Sequence, residues 1–176
     1  MVGYEPFMDR ESGPLVITAE LPGKRFDLIS AFEVFEHLDD GEEIAFLDYA
    51  KAILSGDGVI LISVPIEYGP IWFLKYFLRF LTRLRLTGAE RECAEMDPKL
   101  SIKQILRCGI LGESPPRTEY RNMSHLGFDA RKVPAFFERE GWVLVDKFHS
   151  PFKFLPKSFN SQLFCVFQRE ERIVSA

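Results

Sequence analysis

With 176 residues, 47% of them hydrophobic and 27% charged, the chain is long enough for one domain with a sizeable core. A formal net charge of −4 gives no general attraction to phosphate backbones, so nucleic acid is not an expected partner. Cys93, Cys108 and Cys165 are odd in number and widely spaced, which argues against a disulfide framework or a zinc site, and the N-terminus lacks the pattern of a signal peptide. The expected home is a reducing cytoplasm.

Taken in chain order, Leu15 to Ala19 is a short β-rich run ended by Pro22-Gly23. Phe26 to Phe32 is a longer strand with apolar side chains on both faces of Leu28 to Phe32, as a parallel strand covered by helices on both sides requires. It runs into the polar turn Glu33-Val34-Phe35-Glu36-His37-Leu38, at the carboxyl end where open α/β sheets place ligands. A helix follows, with Asp39 or Asp40 as cap, Glu42 and Glu43 at its positive end, and Phe46, Leu47, Ala50, Ile53 and Leu54 at helical spacing. The turn Ser55-Gly56-Asp57-Gly58 is expected to stop it, and Val59 to Val64 reads as a second buried strand closed by Pro65.

The segment Ile71 to Leu86 is apolar apart from Lys75, Arg79, Arg83 and Arg85. These cations argue against a membrane span, since each would cost about 2.5–3.5 kcal/mol at the bilayer centre. Lys75, Arg79 and Arg83 are four apart and form one basic stripe. Three readings follow: a lid over an acceptor pocket, its basic edge in water and its apolar faces in the core; a helix lying on an anionic lipid surface; or a protein interface. Thr87 to Thr118 is polar, holds Pro98, Pro115 and Pro116, and reads as helical fragments and loop. Near the end, Asp129 is placed to cap a helix with Val133, Phe136 and Phe137 on one face and Gly141 to end it. Trp142 to Phe148 and Gln162 to Gln168 then read as an antiparallel strand pair, with Leu163, Cys165 and Phe167 alternating against Phe164 and Val166.

Alternation of strands and helices without repeats predicts one α/β domain over 1–176, with a lid or insertion at about 66–125. The run Phe26-Asp27-Leu28-Ile29 followed by Glu33-Val34-Phe35-Glu36-His37-Leu38 resembles the fourth strand and following loop of class I S-adenosylmethionine-dependent methyltransferases. The resemblance continues through Leu54 to Pro65, similar to the family's turn and fifth strand, and into the closing helix and two strands. It implies a Rossmann-like sheet, parallel with a C-terminal antiparallel strand, and S-adenosylmethionine as cofactor. No G-x-G-x-G loop precedes these elements, so the expected form is N-terminally truncated, with the first strand missing.

The same resemblance implies site residues. Glu5 matches the acid that holds the cofactor ribose, Glu20 with Leu21 matches the adenine acid, and Phe32 and Glu33 line the cofactor edge. A methyl transfer is an in-line displacement, so the protein aligns the partners and, for a hydroxyl acceptor, removes a proton. His37 is the first candidate base and His125 its rival; His149 is given no role. The plainer readings are exposed glutamates at 5 and 20, and histidines satisfied within their own loops at 37 and 125. No metal is expected, because Glu36 and His37 are adjacent and no cysteine pair supports them.

An apolar strand at 28–32 without a first strand beside it leaves an open edge. Either Leu15 to Ala19 pairs there, or a second chain does, making a homodimer, or a longer N-terminus covers it. Three functions stay open: a methyltransferase of a small-molecule or lipid- or sugar-linked acceptor, a non-catalytic methyltransferase-like module that binds a protein partner, and a peripheral membrane protein docking through 71–86.

Overall fold

The computed structural model describes residues 2–3, 16–17, 23, 25–83, 100–115, 127–152, 154 and 156–170. Glu5, Glu20, Leu21 and His125 lie outside the described residues, as does Cys93.

Two short strands, β1 (Val2–Gly3) and β2 (Val16–Ile17), pair in parallel as a sheet of their own. The main sheet has four strands: β3 (Phe26–Phe32), β4 (Leu54–Pro65), β5 (Trp142–Ser150) and β6 (Gln162–Arg169), in the order β3-β4-β6-β5. β3 and β4 are parallel, and β6 runs antiparallel to both β4 and β5. A parallel pair followed by a reversed strand is the arrangement expected of the sheet's later half, so the α/β reading holds. Of the routes for covering the outer edge of β3, pairing with Val16 and Ile17 is not taken, because these two residues form a separate sheet with Val2 and Gly3.

Helix α1 (Asp40–Ile53) starts as its sequence demands: the Asp39 carboxylate accepts the N–H groups of Gly41 and Glu42, and Glu42 reaches back to the Asp39 N–H. Its end differs from expectation. No turn separates it from the next strand; β4 begins at Leu54, and Ser55 to Gly58 are absorbed as a bulge where the register slips from Phe26↔Leu54 to Leu28↔Val59. Gly58 makes that bulge feasible, since a Cβ there would stand 2.8 Å from the Phe26 carbonyl oxygen and 2.7 Å from Leu54 Cγ.

The core lies on one face of the sheet. Ala31 of β3, Ile60, Ile62 and Val64 of β4, and Leu163, Cys165 and Phe167 of β6 meet Leu47 and Ala50 of α1 and Val133 and Phe137 of helix α4 (Lys132–Arg139). The Phe137 ring stacks on Phe167 at 4.0 Å and is flanked by Phe35 and Trp142. Burial here pushes the Cys165 thiol up to about 11, so it behaves as a small apolar residue. α4 ends at Gly141 in the left-handed conformation, as expected, but its N-cap is Arg131; Asp129 instead accepts the Arg131 N–H. The expected burial of β3 on both faces is not found. Ile29 and Ala31 point into the core, whereas Leu28 and Phe32 are 54% and 52% exposed on the other face.

The region after β4 holds α2 (Gly69–Arg83) and, within the stretch expected as fragments and loop, α3 (Ile102–Leu111). α3 is opened by a Ser101/Gln104 capping box and closed by Gly112 in the left-handed conformation. The two helices pack through Trp72 and Cys108, with Tyr76, Leu100 and Ile105 beside them. Gly109 permits the approach, as a Cβ there would come 3.0 Å from Phe73 Cβ. The orientation of α2 is not that of the expected lid. Phe73, Leu74, Phe77, Leu78 and Leu81 are exposed, and Lys75 is the partly buried one, paired with the buried Glu67 at 3.4 Å.

Candidate functional site

The parallel strands β3 and β4 end at one edge of the sheet, beside the start of the reversed strand β6. Phe32 is the last residue of β3, and its ring meets the edge of Phe164 at 6.3 Å. Glu33 follows in the left-handed region, with φ 55, a conformation that disfavours a residue bearing a Cβ. Its N–H donates to Ser63 O at 3.1 Å, and Gln162 Nε2 donates to its Oε1 at 2.9 Å. This backbone turn aims the chain away from the sheet and into a 3-10 turn, Phe35–His37.

Each residue of that turn is placed differently. Phe35 enters the core among Phe46, Phe136 and Phe137. Glu36 is fully buried. His37 keeps 29% of its side chain exposed, with Nε2 3.9 Å from Glu36 Oε1. Phe35 thus anchors the turn, and the imidazole is left at the surface beside a buried carboxylate. Among the described candidates the structure brings Phe32, Glu33 and His37 to one end of the sheet.

The corresponding end of β4 carries residues that the sequence reading missed. Ile66, Glu67 and Tyr68 are buried directly after Pro65, and the Ile66 N–H donates to Ser161 O. The Tyr68 ring lies 4.5 Å under the Arg131 guanidinium. Burial raises the Tyr68 pKa, with Arg131 opposing the shift. Arg131 also binds both Asp129 oxygens, Gly112 O at 3.0 Å and Ser114 Oγ at 3.1 Å, clamping the end of α3 to the start of α4. Burial alone would raise the Asp129 pKa, but its hydrogen bonds from Arg131 hold the carboxyl below its usual value. The position of Glu67 and Tyr68 straight after a parallel strand was the available signal, the same one that drew attention to Glu33 to His37. Nothing in the sequence marks Gln162 as the partner of Glu33, 129 residues away.

His149, given no role, lies on β5, where burial and then Lys147 and Lys157 push its pKa down. A cleft of ≈ 290 Å³ is lined by Gln104, Arg107, Cys108, Glu113 and Ser114, with Arg107 and Glu113 already paired at 2.8 Å. Among the described residues no group of three or more His, Cys, Asp or Glu side chains is placed to hold a metal ion, and no helix is long and apolar enough to cross a membrane.

No protein-family model matches the chain, and no curated protein matches it in sequence. Solved structures resemble it in shape. PKMT2 from Rickettsia typhi superposes with a TM-score of 0.44 and 10% identity, covering 84% of this chain and 36% of that one. A second structure of PKMT2, in complex with AdoHcy, gives 0.44 and 10%, covering 84% and 37%. The CcbJ methyltransferase from Streptomyces caelestis gives 0.46 and 12%, covering 86% and 60%. The chain thus spans between about a third and three fifths of the length of these proteins. No residue role passes from them to this chain.

Proposed function

We propose that the chain is an S-adenosylmethionine-dependent methyltransferase, or a shortened form of one, acting on a small-molecule or lipid- or sugar-linked acceptor. The observation that carries the reading is the end of β3, where a half-exposed Phe32 leads into Glu33 in a left-handed backbone held by Ser63 and Gln162. Such a conformation in a non-glycine residue costs on the order of 1–3 kcal/mol and clusters at ligand sites. Phe32 offers an apolar plate for adenine, and the Glu33 carboxylate offers an acceptor at the cofactor edge. S-adenosylmethionine, when bound, supplies an electrophilic methyl group. The chain's own part is to align the acceptor and, if that is a hydroxyl, to take its proton on His37, whose Nε2 lies 3.9 Å from the buried Glu36 carboxylate.

Calorimetric titration with S-adenosylhomocysteine tests this. Micromolar binding that weakens roughly tenfold in Glu33→Ala supports the reading, a factor equal to about 1.4 kcal/mol. A folded chain that binds nothing favours the second reading, a non-catalytic module, which the outward apolar faces of α2 and α3 recommend. On either reading the outer edge of β3 is a place for a second copy to pair, and a thermally stable monomer in size-exclusion chromatography would remove that expectation.

A further inference from the structure

We infer that the joint outer face of α2 and α3 docks on an anionic lipid bilayer, whether or not the end of β3 binds a cofactor. The first ground is orientation. At about 100° per residue, Phe73, Leu74, Phe77, Leu78 and Leu81 cover one continuous arc of α2, and all are exposed. On α3, Ile102, Leu106 and Ile110 form an i, i+4, i+8 stripe, with Ile102 76% and Ile110 75% exposed. The helices touch at Phe73 and Gly109, with Trp72, Tyr76, Ile105 and Cys108 on the inner side of that seam. The exposed arcs therefore open together on its outer side. The 3-10 turn Lys157–Phe159, which packs against α2, adds a half-exposed Phe159.

The second ground is charge. α2 and α3 contain no Asp or Glu, although the whole chain carries a net charge of −4; the spacing of Lys75, Arg79 and Arg83 puts them on the arc of α2 opposite its exposed apolar residues, so the cations beside the apolar face are Lys103 and Arg107 of α3. On α3 the exposed Lys103 and Arg107 form their own i, i+4 row beside the apolar stripe. An apolar face edged on α3 by Lys103 and by Arg107, the latter also paired with Glu113, fits a surface that is apolar below and anionic above, with basic side chains reaching the headgroups. A second copy fits less well. Its matching face would bring no Asp or Glu of α2 or α3 to meet these cations.

The test is flotation of the full chain with phosphatidylcholine vesicles, with and without phosphatidylglycerol. The expected result is binding to the anionic vesicles alone, weakened by salt. Lys103→Gln is expected to reduce affinity about fivefold, the factor for one cation near such a surface. The triple change Ile102→Ser, Leu106→Ser, Ile110→Ser should reduce it by more than roughly tenfold. All four substitutions fall at exposed positions, and an unchanged far-ultraviolet spectrum and melting curve verify folding. The inference is overturned if the folded wild-type chain stays off anionic vesicles, if it binds neutral vesicles equally well, or if neither variant alters binding. A lipid-free dimer that the triple change dissolves would give this face to a second copy and overturn it too.

Discussion

Helices α1 and α4 and helices α2 and α3 draw on similar apolar residues and use them in opposite ways. α1 and α4 bury Leu47, Ala50, Val133 and Phe137 in the sheet's one closed core, which also takes Phe35, Trp142 and Phe167. Among the described residues, α2 and α3 fully bury only the side chains of Trp72 and Cys108 between them, with Tyr76, Leu100 and Ile105 partly buried beside these, and turn most of their large side chains outward. A fold needs the first arrangement in order to stand. The second contributes little to standing alone, and exposed apolar surfaces of that extent are the kind that serve as interaction sites.

The contrast makes unequal demands on single substitutions. Phe137→Ala removes the ring that joins α4 to β6 and to the 3-10 turn after β3, and should lower global stability by about 3–5 kcal/mol in urea unfolding. Trp72→Ala removes a ring of greater size from the smaller cluster. If the helix pair is the weaker unit, hydrogen exchange should speed up through α2 and α3 while β4 and β6 keep their protection. Uniform loss of protection across the sheet would show instead that the two regions unfold as one.

Two polar ties join these regions, and the sequence disclosed neither. Helix periodicity identified the apolar residues of α2 and its basic row, but not which arc would face inward, because that depends on the buried Glu67 drawing Lys75 towards the sheet. By contrast the start of α1 was legible, since Asp39 and Glu42 satisfy the first-turn N–H groups locally. So were the alternation of β6 and the stop at Gly141. The bulge at Ser55 to Gly58 was misread as a turn because glycines serve both, and only the closeness of the Phe26 carbonyl decides between them. Of the candidate site, the placement of Glu33 and His37 at the end of β3 was legible from position. Tyr68, Arg131 and Gln162 depend on contacts between distant segments.

The Arg131 clamp gives a prediction with a sign. Its partner Asp129 has a folded pKa depressed below the unfolded value, so the stabilisation it contributes is present above about pH 4 and is lost as pH falls through the lower folded pKa. Melting temperature in acid should therefore fall more steeply for the wild type than for Asp129→Asn, which has lost the contribution at every pH. Loosening should be read first in the amides of α3, whose end Arg131 holds through Gly112 and Ser114. Identical acid profiles for the two proteins would mean that the clamp does not couple the regions.

The smallest change in stability is expected at Glu33, and there the contrast between holding a fold and holding a ligand is sharpest. Glu33→Gly relieves a left-handed conformation worth on the order of 1–2 kcal/mol. It also loses the hydrogen bond from Gln162, worth about 0.5–1.5 kcal/mol, and adds freedom to the unfolded chain. These effects nearly cancel, so the melting temperature should hardly move. On the proposed function S-adenosylhomocysteine affinity should nevertheless fall, because the carboxylate proposed to accept from the cofactor is gone. A clear gain in stability with unchanged affinity would identify the Glu33 backbone as strain with no ligand to serve. A clear loss of stability would make the Gln162 contact a structural brace between β3 and β6, and the search for the site would shift to Glu67 and Tyr68 at the end of β4.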